Sequence, residues 1–406
     1  MKIALVCFNL SWQAGGVRLI YEEAHALMRL GHTVALYTPE FDEQVYPELW
    51  RGIDIRVVRP AKPLVWQYAS AGLWGRVREK REQVRRMTDA ARRIAAAIDA
   101  DTDLVNLHDF AYRVAPFYKP RNPGAKLVWY MADPPYQYLP KTNILYDVAS
   151  RAWNAYADIV ERKVFASLDA AVTLIKRNQA WLEARGVRTS IVWTGIDAKA
   201  FSAPVRTLQG GKQLTLMTVG ALNKYRRFED AIEAVRILRE GGRDVRLVVV
   251  CKNIWEQDAY LAELKQFVAE RKLEPYVELM PQGASEEELK KLYATSHIFV
   301  LPIHLPPPRN GFGWQMVAFE ALAAGLPLIV CRTNDVMEAL KDGETALAVE
   351  PKSPEQIAHK VKMLMDDPAM YKKIATAGQE FVRKNMSWEK FAQGIIDAIE
   401  LNRKTK

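Results

Sequence analysis

The sequence predicts an α/β protein built from two parallel, doubly wound sheets. Short β-branched runs alternate with helical patterns along the chain, which is typical of parallel strands covered by helices. The alternation stops at a polar, glycine-containing stretch after residue 201, SAPVRTLQGGKQ, and then restarts. With 406 residues, the chain also exceeds what one ordinary hydrophobic core accommodates.

The first half of the chain contains seven strand-like runs. KIALVCF is the first, the helical pattern VRLIYEEAHALMRLG stops at Gly31, and HTVALYT is the second. The others are DIRVV, DLVNLH, KLVWYM, AAVTLI and SIVWT. We therefore predict a Rossmann-like domain over residues 1–201, followed by a linker over 202–212.

The second half repeats this pattern. Its strand-like runs are LTLMTVG, VRLVVVC, VELM, HIFVLP and LPLIVC, and helical stretches such as FEDAIEAVRILREG fall between them. This predicts a second Rossmann-like domain over residues 213–385, and a C-terminal amphipathic helix over 386–406 that packs back toward the N-terminal domain. Because ligands of doubly wound sheets bind at the carboxyl ends of the strands, we expect a ligand in an interdomain cleft.

Composition narrows the functional classes. The chain is 49% apolar and 26% charged, as in a soluble globular protein. Its three cysteines are far apart and its six histidines lack metal-ligand spacing, which argues against a disulfide framework or a metal centre. The apolar run after Met1 is too short for a signal peptide, and no apolar stretch reaches the length of a membrane span. We expect a cytoplasmic protein.

The net charge of +9 is densest at residues 76–93, RVREKREQVRRMTDAARR, with eight basic and three acidic side chains. Two interpretations remain open: a cationic surface for phosphate-rich substrates or acidic lipids, or a solvated helix with i,i+4 ion pairs. The preceding aromatic stretch LVWQYASAGLW would suit a membrane interface. We therefore predict that the 62–93 region attaches the protein peripherally to the inner face of an acidic cell membrane.

Three segments that follow or end strands contain candidate binding residues. Gly15 and Gly16 precede a helix, where backbone N–H groups can meet an anion, although a tight turn would also explain them. A strand-to-helix turn contains three cations, Lys224, Arg226 and Arg227. They could bind a diphosphate or be ordinary surface charges.

The third segment, DLVNLHDF, places His108 at a strand end, where a histidine can take part in proton transfer or have only a structural role.

Two familiar classes of protein are disfavoured. No GxGxxG motif follows the first strand, which argues against a dehydrogenase. A periplasmic binding protein would need an export signal, and the sequence shows none.

Six segments, taken in order, resemble the retaining glycosyltransferase family 4 of the GT-B fold. They are AGGVRLIYEEAHALMRLGHTVALYT, DLVNLHD, IVWTGIDAKAF, TVGALNKYRRFEDAIEA, FEALAAGLPLIV and ALKDGETALAVEP. The resemblance spans nearly the whole chain. It implies a metal-independent transfer, with retention of configuration, of a sugar from a nucleoside-diphosphate donor to a glycan or lipid-linked acceptor, as in polysaccharide biosynthesis. No cofactor and no nucleic-acid partner is expected.

The resemblance also implies a site. Glu320, in the stretch NGFGWQMVAFEALAAGLP, takes the position of the second acid of the family's E-x7-E motif, which binds the ribose hydroxyls of the donor. His108 is implied beside the reacting sugar, so His108 and Glu320 are the predicted catalytic residues. The predicted donor-binding residues are Gly15, Gly16, Lys224, Arg226, Phe312, Gly313, Trp314, Gln315 and Glu320.

Several positions depart from the family pattern. The first acid of E-x7-E is replaced by Phe312, or by Asn310 if a two-residue insertion is allowed. Ala221 stands for the arginine of the "GRL" segment, and Asn106 for the first histidine of "HxHD". An unusual donor, such as a deoxysugar, would explain these changes. The alternatives are a relative that binds nucleotide or glycan without turnover, or a sugar-nucleotide epimerase on the same architecture.

Overall fold

The computed structural model describes residues 1–12, 14–66, 73–135, 144–208, 212–253, 256–304 and 314–400. The side chains of residues 73, 74, 76, 77, 144–147, 149, 150, 153 and 154 are also outside this description. The chain divides into two compact units. The first comprises Met1–Gly195 with Trp388–Lys406, and the second comprises Ile196–Ser387.

The first unit is built on a seven-stranded sheet in which all pairs are parallel, in the order β3-β2-β1-β4-β5-β6-β7. Its strands are β1 Lys2–Val6, β2 Thr33–Thr38, β3 Asp54–Val57, β4 Leu104–His108, β5 Lys126–Met131, β6 Ala170–Thr173 and β7 Thr189–Ile191. The first six lie within runs predicted from the sequence, and β7 begins one residue before its predicted run SIVWT. Strands covered by helices on both faces read as continuous apolar runs, which makes them recognisable.

The helices of this part of the chain are α1 Gly15–Arg29, α2 Pro47–Trp50, α3 Leu73–Ala97, α4 Ala115–Tyr118, α5 Ile144–Phe165 and α6 Lys176–Glu183. A three-ten helix, Asp109–Val114, directly follows β4. Helix α1 buries an apolar stripe against the sheet, and α3 packs on the three-ten helix and on α4.

The second unit contains a six-stranded parallel sheet in the order β10-β9-β8-β11-β12-β13. Its strands are β8 Leu214–Val219, β9 Val245–Val250, β10 Val277–Met280, β11 Ile298–Leu301, β12 Leu328–Cys331 and β13 Leu347–Val349. The sequence predicts the first five of these. It does not predict β13, whose three residues lie within the segment ALKDGETALAVEP.

The helices that follow α6 are α7 Ala198–Phe201, α8 Phe228–Glu240, α9 Asp258–Glu270, α10 Glu286–Thr295, α11 Met316–Ala323, α12 Pro354–Asp366, α13 Pro368–Asn385 and α14 Trp388–Glu400. Two three-ten helices lie between them, Lys224–Arg226 and Asp335–Glu338. Both sheets are covered by helices, and the two-unit fold is the GT-B fold.

The division between the units differs from the predicted boundary at residue 201. The chain passes from the first unit to the second at Gly195 and Ile196. The start of the predicted 202–212 linker is packed into the second unit. Gln379 Nε2 donates a hydrogen bond to the carbonyl of Ala203 at 2.8 Å, and a Cβ added at Gly325 would lie 3.1 Å from Val205 Cγ2. These tertiary contacts hold a segment whose composition resembles a loop.

Helix α14 is part of the first unit, although it is last in the chain. Arg29 of α1 pairs with Glu389 of α14 at 2.7 Å, and Phe391 packs edge-on against Tyr130 with ring centroids 5.5 Å apart. Gly394 permits the close approach of α14 to Val192, since a Cβ at Gly394 would lie 2.6 Å from Val192 Cγ1.

The strand orders define where ligands are expected. In the first sheet the order reverses between β1 and β4, and in the second between β8 and β11. A crevice opens outside the carboxyl ends of the strands at such a switch point. The segments after β1, β4, β8 and β11 are therefore the candidates in each unit.

A half-buried histidine next to β11 gives this fold a pH dependence. His297 Nδ1 accepts a hydrogen bond from the Thr215 backbone N–H at 3.0 Å, and burial together with the charges of Arg206 and Arg246 lowers its pKa from 6.5 to about 4. Between these two values the unfolded chain binds a proton that the folded chain does not, so stability falls as the pH falls through this window.

We expect His297→Asn to reduce this loss of stability. As the pH falls through the window, the Tm of the variant should fall by about 2–4 °C less than that of the unmodified protein. Thermal unfolding across the window measures it. The exposed His359, substituted in the same way, is the control. Equal acid sensitivity of all three proteins would contradict the prediction.

Candidate functional site

The turn after β8 brings a guanidinium to the switch point of the second unit. The Arg226 side chain lies across Gly220, where a Cβ would approach its Cζ to 2.8 Å. Arg226 Nη1 donates to Gln315 Oε1 at 2.7 Å, and Gln315 is the buried residue that immediately precedes α11. The cation is thereby fixed beside the amino end of α11.

Arg226 is electrostatically undercompensated. Burial lowers the pKa of its guanidinium, which still remains protonated near neutral pH because the guanidinium pKa is so high. Its buried Nε has no hydrogen-bond partner, and no carboxylate among the described residues pairs with it. A desolvated cation without a counter-ion at a helix amino end favours an anionic ligand.

The other two cations of this turn are already paired. Lys224 points outward, with 64% of its side chain exposed, and pairs with Glu263 at 2.7 Å. Arg227 pairs with Glu229 at 2.7 Å and with Asp230 at 2.6 Å, and its backbone is left-handed, with φ of 55°. The structure thus separates Arg226 from Lys224, which the sequence placed together among the donor-binding residues.

Glu320 lies on α11, where the sequence predicts it, and is half-buried. Its Oε2 accepts a hydrogen bond from the hydroxyl of Tyr293 at 2.9 Å. Tyr293, on α10, is fully buried, and burial together with Glu320 raises the pKa of its hydroxyl well above the usual value. The tyrosine therefore remains a donor and fixes the orientation of the carboxylate.

The turn ahead of α11 contributes Trp314, whose ring stacks on Phe319 at 4.8 Å. The structure brings Trp314, Gln315 and Arg226 to one end of α11, with Glu320 further along the same helix. The predicted residues Phe312 and Gly313, together with Asn310, lie outside the described residues.

Replacing Tyr293 with Phe is expected to weaken nucleoside-diphosphate binding about five- to tenfold, because the Glu320 carboxylate loses the donor that orients it. Calorimetric titration with UDP, GDP, ADP and dTDP measures the affinity. Tyr371→Phe is the matched control, since Tyr371 is also fully buried and donates to the His297 carbonyl instead. Equal loss of affinity in both variants would indicate a general packing effect.

In the first unit, Gly15 and Gly16 begin α1 after the β1 loop. Both are exposed, neither adopts a positive φ, and a Cβ at either would meet nothing within 4 Å. Neither backbone conformation nor internal packing therefore requires glycine here. The absent side chains leave open space at a helix amino end.

His108 ends β4 and is buried in a polar cluster with Glu23 and Asn106. Its Nε2 lies 3.0 Å from Glu23 Oε2 and 3.2 Å from Asn106 Nδ2, while Asn106 Nδ2 donates to Glu23 Oε1 at 2.7 Å. An unprotonated Nε2 can accept from the Asn106 amide. Glu23 Oε2 has no hydrogen-bond partner among the described residues, so the carboxylate faces the imidazole through proximity alone.

The next residue is conformationally strained. Asp109 has φ of 47°, an uncommon value for a residue with a side chain. Its carbonyl accepts a hydrogen bond from Trp129 Nε1 at 2.8 Å, which helps to hold this turn. Such strain is concentrated at functional sites, and here it follows the His108 cluster directly.

Sequence reasoning missed Glu23 and Tyr293. A signal for Glu23 was present, because it follows Leu19 and Ile20 at helical spacing and precedes Leu27 by four residues, on the apolar side of α1. A carboxylate on that stripe must be paired. Tyr293 carries no comparable signal, since a buried tyrosine is an ordinary core residue.

Within the described ranges, no three His, Cys, Asp or Glu side chains are grouped so that they could hold a metal ion. Over the same ranges, no helix combines the length and the apolar character that crossing a bilayer requires.

Comparisons with known proteins agree with this architecture. Residues 203–381 match the profile of the family described as "Glycosyl transferases group 1". A glycogen synthase of Mycobacterium tuberculosis is 27% identical over 203 residues, covering 50% of this chain and 46% of that protein. The chain thus spans about half the length of the curated relatives that it matches.

Solved structures match over the full length. A sucrose-phosphate synthase from Thermosynechococcus elongatus has a TM-score of 0.72 at 18% identity, covering 100% of both chains. Anabaena HepE in complex with UDP has a TM-score of 0.71 at 14% identity, covering 99% of this chain and 100% of that one. Residues 203–381, in the second unit, thus resemble glycosyl transferases group 1, and the chain has the GT-B fold of these solved structures.

Proposed function

We propose that this protein is a retaining glycosyltransferase that moves a sugar from a nucleoside-diphosphate donor to an acceptor hydroxyl. The observation that carries the proposal is Arg226, a partly buried cation at the amino end of α11 that pairs with no carboxylate in the described part of the chain. A diphosphate would supply the missing anion. Retention is proposed on the resemblance to family 4.

The remaining contacts of the second unit suit the rest of a nucleotide. Backbone N–H groups at the start of α11 would meet phosphate oxygens, and the Glu320 carboxylate, oriented by Tyr293, would accept hydrogen bonds from the ribose hydroxyls. HepE, a neighbour of the same fold, has been crystallised with UDP and with UDP-glucose. We propose a nucleotide sugar as the donor of this protein.

The first unit would supply two further functions. The open space at Gly15 and Gly16 would admit a phosphate close to the helix amino end. His108, which ends β4 beside Glu23 and Asn106, would take part in transferring the proton of the acceptor hydroxyl.

Stabilisation of the leaving group in this proposal needs no metal or other cofactor. A guanidinium and oriented N–H groups, held in place before the reaction, stabilise negative charge that develops on the leaving diphosphate. We propose that Arg226 and the amino end of α11 have this role.

The proposed acceptor is a glycan or a lipid-linked sugar at the inner surface of the cell membrane. In the 62–93 region, Arg86–Glu82 and Arg93–Asp89 form i,i+4 ion pairs at 2.9 and 3.0 Å. Arg85 lies 3.9 Å from Glu82, which it shares with Arg86, and 77% of its side chain is still exposed. Helix α3 therefore combines internal ion pairs with exposed cationic side chains, so each of the two interpretations of this region describes part of the helix.

A panel of nucleotide sugars tests the reaction. Donor hydrolysis and transfer to glycan acceptors are measured together, with calorimetric binding of the matching nucleoside diphosphates. Transfer supports the proposal. Interconversion of free nucleotide sugars would instead identify an epimerase, and binding without turnover on any acceptor would identify a binding protein.

A further inference from the structure

Helix α5 exposes an apolar face. Four large hydrophobic side chains are 49–67% exposed on this one helix: Val148, Tyr156, Ile159 and Val160. Ala152 and Ala155 are also exposed and lie between them at helical spacing. These six residues are called the α5 face. Exposed apolar residues that cluster on one element indicate a binding surface rather than scattered surface hydrophobicity.

The charges around the α5 face have one sign. Arg162 and Lys163 are exposed at its carboxyl end, and Arg151 is exposed nearer its start. The carboxylates of α5 whose side chains are described are engaged elsewhere: Asp158 pairs with Arg185 at 2.7 Å, and the buried Glu161 pairs with Arg113. The side chain of Asp147 is outside the described ones.

Helix α3 carries further exposed cations. Arg113, the partner of Glu161 on α5, belongs to the three-ten helix on which α3 packs, so α3 and α5 both contact this element. Burial, and then the charge of Arg113, lowers the pKa of Lys80 on α3. The exposed arginines of α3 are Arg78, Arg81, Arg85, Arg92 and Arg93.

We propose that the α5 face lies in the interfacial layer of an anionic lipid bilayer, with Arg162, Lys163 and the α3 arginines contacting lipid head groups. An apolar helix face rimmed by cations is the pattern of a helix that lies in the membrane interface, and each cation near an anionic surface adds attraction. The inference rests on the proposed peripheral membrane position and identifies the inserting surface. It does not require catalytic turnover.

Vesicle flotation with the full chain tests this proposal. We expect binding to vesicles of phosphatidylcholine with phosphatidylglycerol, weak binding to phosphatidylcholine alone, and release at high salt. Tyr156→Ser with Ile159→Ser is expected to lower the vesicle partition coefficient about tenfold or more. Arg162→Glu with Lys163→Glu is expected to have a similar effect.

Two controls are matched to these variants. Val57→Ser shortens another exposed apolar side chain, 41% exposed, in the first unit. Lys372→Glu with Lys373→Glu changes the net charge by the same amount on exposed residues of the second unit. Both should bind anionic vesicles like the unmodified protein.

Three outcomes would overturn the inference: no binding to anionic vesicles, equal loss in variants and controls, or a dimer seen by light scattering that the Tyr156→Ser, Ile159→Ser variant abolishes. The last would assign the α5 face to a second copy of the chain. Nucleotide binding, measured on the same variants, separates this inference from the proposed function. Vesicle binding without any nucleotide binding would support the proposed membrane surface and contradict the proposed transferase activity.

Discussion

Arg226→Met is expected to weaken nucleoside-diphosphate binding about 10- to 100-fold, with little change in Tm. Methionine retains apolar contacts over Gly220 but removes a partly buried charge that lacks a carboxylate partner, and charge-assisted hydrogen bonds contribute about 1.5–3 kcal/mol each. Calorimetric titration with UDP, GDP, ADP and dTDP measures the loss. The dependence of affinity on salt should also become shallower, since one cation no longer contacts the anion.

The chain provides a control within the same turn. Lys224→Met removes the same formal charge, but Lys224 is already paired with Glu263 and mostly exposed, so we expect less than about a twofold change in affinity. Gly220→Ala provides a second route to the same result, because its Cβ would displace the Arg226 guanidinium without removing it. Equal losses for Lys224→Met and Arg226→Met would mean that the turn acts only through its net charge.

Glu23→Gln is expected to lower kcat about 10- to 100-fold while the KM for the donor changes less than about threefold. Glu23 does not contact substrate in this proposal. It is a positioning residue, whose carboxylate lies 3.0 Å from His108 Nε2 and accepts a hydrogen bond from the Asn106 amide. A side-chain amide at this position can itself donate hydrogen bonds, which changes how the imidazole is held.

Several variants separate this role from folding. Glu23→Asp, which restores the carboxylate, should recover part of kcat. Glu22→Gln makes the same chemical change at the neighbouring position of α1, which is not part of the cluster, and should leave kcat and KM unchanged. A lower Tm in Glu23→Gln, with a loss of kcat no larger than the loss of folded enzyme, would show that the pair only stabilises the fold.

The position of Asn106 becomes clear from the same cluster. The sequence shows it only as a departure from the paired histidines of family 4. In the structure its amide lies against both Glu23 and His108, and donates to the carboxylate. The substitution is thus accommodated by a specific hydrogen bond, which the local sequence could not indicate because Glu23 is 83 positions away.

The sequence alone determined the two doubly wound sheets and twelve of their thirteen strands, and it placed His108 and Arg226 after strands and Glu320 on a helix. These features are encoded locally, by apolar periodicity and by the residues that interrupt it. Tertiary structure decided which charges are compensated. It paired Lys224 with Glu263 and left Arg226 without a carboxylate among the described residues, and it brought Tyr293 to Glu320. It also packed residues 203–205 into the second unit and α14 into the first. Each of these depends on contacts between residues distant in the chain, and a local pattern contains no information about such partners.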